Sequence, residues 1–143
     1  MSRLFLILLF LNYGLQSCNQ GAESEKVAET EETTTTELKE PVVVVLSPSD
    51  YSAAIKAESR PQLIDVRTPE EISQGKIENA TNYDINNPDF EKNIDKLDRS
   101  KPVYVYCASG KRSARASEIL KQAGFPVVYD LRGGYNAWAE AGY

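Results

Sequence analysis

From residue 42 onward, runs of apolar positions change period every few residues, and each change marks a new element. Val42 to Leu46 is an unbroken aliphatic run, the pattern of a strand covered on both faces. Ser47-Pro48-Ser49-Asp50 then reads as a helix start, with Ser47 as N-cap, Pro48 at the first helical position and Asp50 replacing the usual Glu. That helix should run to about Ala57. Gln62 to Val66 reads as the next strand, and Thr68-Pro69-Glu70-Glu71 repeats the capping arrangement for a short helix closed by Gly75. Asn82 to Ile85 is a third strand, and Asn87-Pro88 opens a helix with Phe90, Ile94 and Leu97 on one face. Val103 to Tyr106 and Val127 to Tyr129 are the fourth and fifth strands, before a last helix from about Tyr135 that buries Trp138. Strands alternating with helices predict an α/β fold: a central five-stranded parallel sheet with helices on both faces.

The sharpest local signal follows the fourth strand. The β-branched and aromatic run stops at Cys107, and from Ser113 a helical pattern places Ala116, Ile119, Leu120 and Ala123 on one face before Gly124 ends it. Five residues remain between strand and helix: Ala108, Ser109, Gly110, Lys111 and Arg112. A turn that short points successive N–H groups inward around the sulfur, which makes an anion cradle. A thiol at a helix N-terminus beside two cations should have a lowered pKa and be largely thiolate at neutral pH. Lys111 and Arg112 also stand where the helix dipole disfavours positive charge by roughly 0.3–1 kcal/mol each, a local cost that points to function.

Composition narrows the chemistry. The chain of 143 residues contains no histidine, which excludes Cys–His and Ser–His catalysis and His-ligated metals, and two cysteines cannot build a Cys-rich zinc site. No metal or cofactor is called for, and a nucleophile here must be activated by local electrostatics.

The N-terminal segment stands apart. Arg3 followed by the eight apolar residues Leu4 to Leu11 has the form of a targeting segment, too short to span a bilayer. Leu15-Gln16-Ser17-Cys18 resembles the lipobox of bacterial lipoproteins, with Gln16 where a small residue is usual, so residues 1–17 read as a signal peptide and Cys18 as the lipidated N-terminus. Residues 18–41 are Glu- and Thr-rich and cannot bury enough surface to order themselves. Between Asn19 and Pro41, seven glutamates stand against Lys26 and Lys39, a net of −5. Residues 42–143 carry 14 acids and 13 bases, so the chain's acidity belongs to the tether and not to a binding site. As a flexible coil the tether holds the domain roughly 25–30 Å from its anchor. These readings place the protein at the bacterial cell envelope, lipid-anchored to a membrane.

In open parallel sheets the ligand site lies at the carboxyl ends of the strands. That edge collects Asp65 and Arg67, Asp84, Cys107 with its loop, and Asp130 and Arg132. Asp84 and Asp130 read as turn or capping residues. Asp65, ending a buried strand, should be paired and is expected to hold Arg112 or Arg67 in place.

Several of these pieces, in order and at matching spacing, resemble the single-domain rhodaneses, the family of thiosulfate and other sulfane-sulfur transferases. They are Asp65-Val66-Arg67-Thr68-Pro69-Glu70-Glu71, Gly75-Lys76-Ile77 with Ala80 and Asn82, Tyr106-Cys107-Ala108-Ser109-Gly110-Lys111-Arg112-Ser113, and Leu131-Arg132-Gly133-Gly134-Tyr135 with Trp138. Lys76 departs from the His that many members carry. The resemblance covers Leu46 to the C-terminus and implies that Cys107 carries a persulfide. Ala108 to Arg112 would bind the substrate anion, with Asp65 and Arg67 in support. It implies a small anionic sulfur donor and an acceptor that is cyanide, a small thiol or a thioredoxin-like protein. The domain is expected to work as a monomer, without nucleic acid. The main competitor is phosphatase or arsenate-reductase chemistry on a similar fold. Cysteine phosphatases follow C-x5-R, whereas Cys107 to Arg112 is C-x4-R, one residue tighter. A non-catalytic rhodanese module is a third reading, against which the presence of Cys107 argues.

Overall fold

The computed structural model describes residues 40–143. The expected signal peptide, Cys18 and nearly all of the tether therefore lie outside the described residues.

Five strands and five helices alternate along the domain. They are β1 (Val42–Leu46), α1 (Pro48–Ala57), β2 (Gln62–Asp65), α2 (Pro69–Ile72), β3 (Thr81–Asn82), α3 (Phe90–Ile94), β4 (Val103–Tyr106), α4 (Lys111–Gln122), β5 (Val127–Leu131) and α5 (Gly134–Glu140). Both predicted caps form as read: Ser47 Oγ accepts from Asp50 N at 3.2 Å, and Thr68 and Glu71 make a complete capping box. At the other end of α4, Gly124 at φ +89° lets Phe125 N reach Leu120 O at 3.2 Å while Gly124 N bonds Lys121 O, the paired bonds of a left-handed helix stop.

The strands form one parallel sheet in the order β1-β5-β4-β2-β3. Because strand side chains alternate between faces, each strand supplies both cores. Ile64, Val103, Val105 and Val128 pack with Phe90 and Ile94 of α3 and Ala116 and Leu120 of α4. Leu63, Tyr104, Tyr106 and Leu131 pack on the opposite face with Tyr51 of α1 and Trp138 of α5. This is the two-sided layering that the sequence pattern predicts.

Several boundaries differ from expectation: β5 runs on to Leu131 where Tyr129 was expected to end it, α3 stops at Ile94 short of Leu97, and three further differences have a local cause. β2 ends at Asp65, because the Arg67 N–H turns back onto Asp65 Oδ1 at 3.0 Å. β3 is Thr81–Asn82 and not Asn82–Ile85: Tyr83 N and Ile85 N still bond Asp65 O and Val66 O, but the chain is already leaving the ladder. α4 starts at Lys111, two residues before Ser113, because Gly110 takes the left-handed conformation at φ +95° and closes the turn early.

Candidate active site

β4 delivers Cys107 to the centre of the sheet's carboxyl edge, where its side chain is 1 % exposed. Only Ala108, Ser109 and Gly110 separate it from α4, so Lys111 and Arg112 belong to the first helical turn and not to the loop. The tight turn brings Gly110 N to 3.1 Å from Cys107 Sγ. Burial pushes the thiol pKa up, but the N–H and hydroxyl of Ser113 and the N–H groups of Ser109 and Gly110 outweigh it, and the net direction is down. The direction expected from the sequence is the one found, with hydrogen bonds from the turn and Ser113 the leading favourable cause and the Arg112 guanidinium also acting on the sulfur.

The first two carbonyls of the turn are engaged by α5, and the Ser113 hydroxyl donates to Gly110 O at 3.2 Å. Tyr135 N bonds Cys107 O at 2.7 Å and Asn136 N bonds Ala108 O at 3.0 Å, so the start of α5 holds the outer side of the turn. Gly134 makes this approach at φ +62°; a Cβ there would sit 2.7 Å from Ala108 C, closer than any packing allows. The Gly133-Gly134-Tyr135 segment is thereby a structural part of the site. A sequence reading could place that segment in a family motif, but only the fold shows what the glycines are for.

The structure decides between the two partners open to Asp65. Asp65 holds Arg67 and not Arg112: Arg67 Nη2 lies 2.7 Å from Asp65 Oδ2, Nε bonds both carboxylate oxygens at 3.0 Å, and the pair is 4 % and 0 % exposed. Arg67 also donates to Gly75 O at 2.8 Å, and its guanidinium lies over the Tyr135 ring at 4.3 Å. It is a buried brace between β2, the 75–80 turn and α5. Asn82 adds to it by donating to Asp65 O and Arg67 O at 2.9 and 2.8 Å.

Arg112 pairs instead with Glu71 across the cleft, in a fork of 2.7 and 2.5 Å. Sequence reasoning assigned Glu71 only its cap role. The side-chain hydrogen bonds from Arg112, against burial, pull the Glu71 carboxyl down to about 2. The signal was present in the capping Glu of the Asp65–Glu71 motif, but nothing local says that a carboxylate capping α2 also reaches a residue 41 positions away.

The remaining candidates separate. Lys111 and Arg132 are exposed at the carboxyl edge of the sheet. Asp84 Oδ1 accepts from Asn86 N at 2.9 Å, the turn role expected of it. Asp130 is neither turn nor cap: it is inside β5 and 5 % exposed. Lys76 donates to Ala80 O at 3.1 Å and closes the 76–80 turn. A groove of about 770 Å³ runs between α1, residues 58–61, residues 76–79 and α5, but none of residues 107–112 lines it, so its size does not mark the reactive centre.

A cysteine at the base of a tight backbone turn, with an arginine five positions on, is accompanied by a match of residues 47–141 to the Rhodanese-like domain family. The chain belongs to the rhodanese family. Thiosulfate sulfurtransferase 16, chloroplastic, of Arabidopsis thaliana is 42% identical over 89 residues, 55% of this chain and 74% of that protein. The uncharacterized protein YqhL of Bacillus subtilis is 35% identical over 97 residues, 68% of this chain and 73% of its own length. Among solved structures, a rhodanese-related protein from Thermoplasma volcanium is 37% identical, with a TM-score of 0.61 over 69% of this chain and 93% of that one. This rhodanese domain thus has the five-stranded parallel α/β fold of its relatives, among which are sulfurtransferases.

Proposed function

We propose that this rhodanese moves sulfane sulfur from thiosulfate or a related small anion to a thiol or cyanide acceptor through a persulfide on Cys107. The observation that carries the reading is the Cys107 sulfur at the floor of a three-residue turn, accepting from Gly110 N at 3.1 Å while the turn's carbonyls bond α5. The Cys107 thiolate attacks the outer sulfur of thiosulfate. A Cys107–S–S⁻ bond forms, the original S–S bond breaks, and its electron pair leaves with sulfite. An acceptor thiolate then attacks the outer sulfur of the persulfide, leaving as its own persulfide and returning Cys107 to thiolate, two half-reactions of ping-pong type. Neither step needs a general base, since the attacking group is already an anion in each, the Cys107 thiolate in the first and the acceptor thiolate or cyanide in the second, and sulfite leaves without a proton.

Roles follow from placement. The N–H groups of Ser109 and Gly110, with Ser113, stabilise the sulfur anion. Exposed Lys111 attracts the anionic donor. Arg112, tied to Glu71, holds the cleft wall and contributes a partly neutralised charge. Asp65 and Arg67 keep β2 and α5 in register beneath it. The reading extends to location and partners: a monomeric domain anchored by lipid on Cys18 at the bacterial envelope, with a small thiol or a thioredoxin-like protein as acceptor.

The competing reading is cysteine phosphatase or arsenate reductase chemistry. The turn of Ala108, Ser109 and Gly110 is tighter than a tetrahedral phosphate requires, which favours a single sulfur. The test compares the wild-type chain with Cys107→Ser. Thiosulfate should add one sulfur atom to the Cys107 peptide of the wild type by mass, and sulfur transfer to cyanide should vanish in the mutant with the fold unchanged. Hydrolysis of an aryl phosphate without sulfur uptake would establish the phosphatase reading instead, and neither activity would leave a binding module.

A further inference from the structure

The ion pair at the lip of the Cys107 turn bears on which anion can enter it. β2 and β4 run side by side, with Asp65 opposite Tyr106 and Val66 N bonded to Tyr106 O at 3.0 Å, so the chain that leaves β2 for α2 emerges next to the turn that leaves β4. Gly110 N lies 3.1 Å from Cys107 Sγ, and Arg112 stands two residues further on, its Cα within about 7.6 Å of that of Gly110. Glu71 meets the guanidinium there, with Nη1 bonded to Oε2 at 2.7 Å and Nη2 to Oε1 at 2.5 Å. Both Nη atoms are thereby committed to one carboxylate, and the fork that could clasp two oxygens of a sulfonate is taken. Cys107 is among the groups acting on the guanidinium, in agreement with this placement.

Glu71 has little freedom to release the fork. Its Oε2 also accepts from Thr68 N at 3.0 Å, and its own N–H bonds Thr68 Oγ1 at 3.4 Å. Its carbonyl lies 3.5 Å from Nη1 of Arg67, a guanidinium itself held by the buried Asp65. At 28 % and 33 % exposure the pair is open to an incoming anion, yet it presents no net charge where an unpaired arginine would present a cation.

We propose that Glu71 is a specificity-determining residue, which sets the site for a monoanionic organic sulfane-sulfur donor over the dianion thiosulfate. This selection rests on the sulfur-transfer reading, which it narrows by donor charge. A dianion brought to the turn is repelled by the Glu71 carboxylate about twice as strongly as a monoanion, and the Arg112 fork that could offset this is engaged. An organic thiosulfonate carries one charge and places an apolar group where thiosulfate has a further charged oxygen. The bond chemistry is the same for both. The Cys107 thiolate attacks the outer sulfur, the donor's S–S bond breaks, and its electron pair leaves with the sulfinate, as it leaves with sulfite from thiosulfate.

The test measures sulfur transfer to cyanide by the full chain from thiosulfate and from benzenethiosulfonate, as kcat/KM for each. Glu71→Gln, which keeps a cap acceptor, should raise the ratio of thiosulfate to benzenethiosulfonate by about three- to tenfold, chiefly through the KM for thiosulfate, and the gain should shrink as salt is added. A residue that merely braced the cleft would lower both donors together and leave the ratio unmoved, which would overturn the proposal. The double variant Glu71→Gln, Arg112→Gln keeps the pair without charge and should return the ratio close to that of the wild type. A ratio well below the wild type's in that variant would show Arg112 clasping the dianion after all and would also overturn it. If Glu71→Gln does not fold, the double variant decides. Failure of both donors to load sulfur on wild-type Cys107 by mass would sink the sulfur-transfer reading and this selection with it, whereas loading by both with an unmoved ratio sinks the role of Glu71 alone.

Discussion

Glu71 serves two structures at once. Its backbone and side chain complete the capping box of α2, while both its carboxylate oxygens take the Arg112 guanidinium across the cleft. The depressed carboxyl, about 2 against an ordinary 4.5, makes the pair a pH-dependent support. A lowered folded-state pKa contributes stability that is complete above the unfolded value of 4.5 and is lost as pH falls towards 2. With the partners 28 % and 33 % exposed, solvent screening limits the contribution to about 1 kcal/mol. Glu71→Gln, which keeps a cap acceptor, should therefore lower stability by about that amount at pH 7 and match the wild type near pH 2. Urea unfolding at several pH values measures it, and a constant difference across the range would remove the ion pair from the account.

At the scale of elements, the site is a junction of β4, the 108–110 turn and the first residues of α5. Because Tyr135 N and Asn136 N take the Cys107 and Ala108 carbonyls, an error in α5 should be felt at the sulfur. Gly134→Ala tests this, since the new Cβ would collide with the backbone of Ala108. Gly124→Ala is its control, with the same left-handed backbone penalty at φ +89° and nothing within 4 Å of the new Cβ. Gly124→Ala should cost about 1 kcal/mol of stability with turnover per folded molecule unchanged. Gly134→Ala should cost more and reduce turnover on the order of tenfold or greater, because the turn must shift to make room. Denaturant midpoints beside sulfur-transfer rates separate the two, and equal turnover in both variants would show that α5 does not position the cradle.

At the scale of the whole molecule, the charge distribution divides the chain into an acidic stretch over residues 19–41 and a nearly balanced domain. With the site at the carboxyl edge of a self-contained sheet, anchor and chemistry should be separable. Under the proposed lipidation of Cys18, the full-length protein should fractionate with membranes, and Cys18→Ala should release it without loss of specific activity. Membrane association that survives the substitution, or wild-type protein found wholly in the soluble fraction, would require another account of the N-terminus.

What the sequence determined by itself was whatever depends on neighbours along the chain. The Ser47 and Thr68 caps, the alternation of elements, the strand ending at Cys107 and the inward turn of N–H groups after it all follow from local propensity and spacing. So does the lowered thiol, because the donors at Ser109, Gly110 and Ser113 lie within six residues of the sulfur. Tertiary structure alone decided which distant groups complete the site. Asp65 chose Arg67 because the chain doubles back between them, and that left Arg112 to Glu71. The early start of α4 came from Gly110 in a left-handed turn that α5 braces from outside. Asp130, two residues beyond Val128 and so on the same strand face, is buried between Val45 and Val105 because β5 lies between β1 and β4 in the sheet, a pairing that no local pattern encodes. Hydrogen bonds between near neighbours can be read in the order of residues, whereas pairs dozens of residues apart exist only once the sheet has set which strands are adjacent.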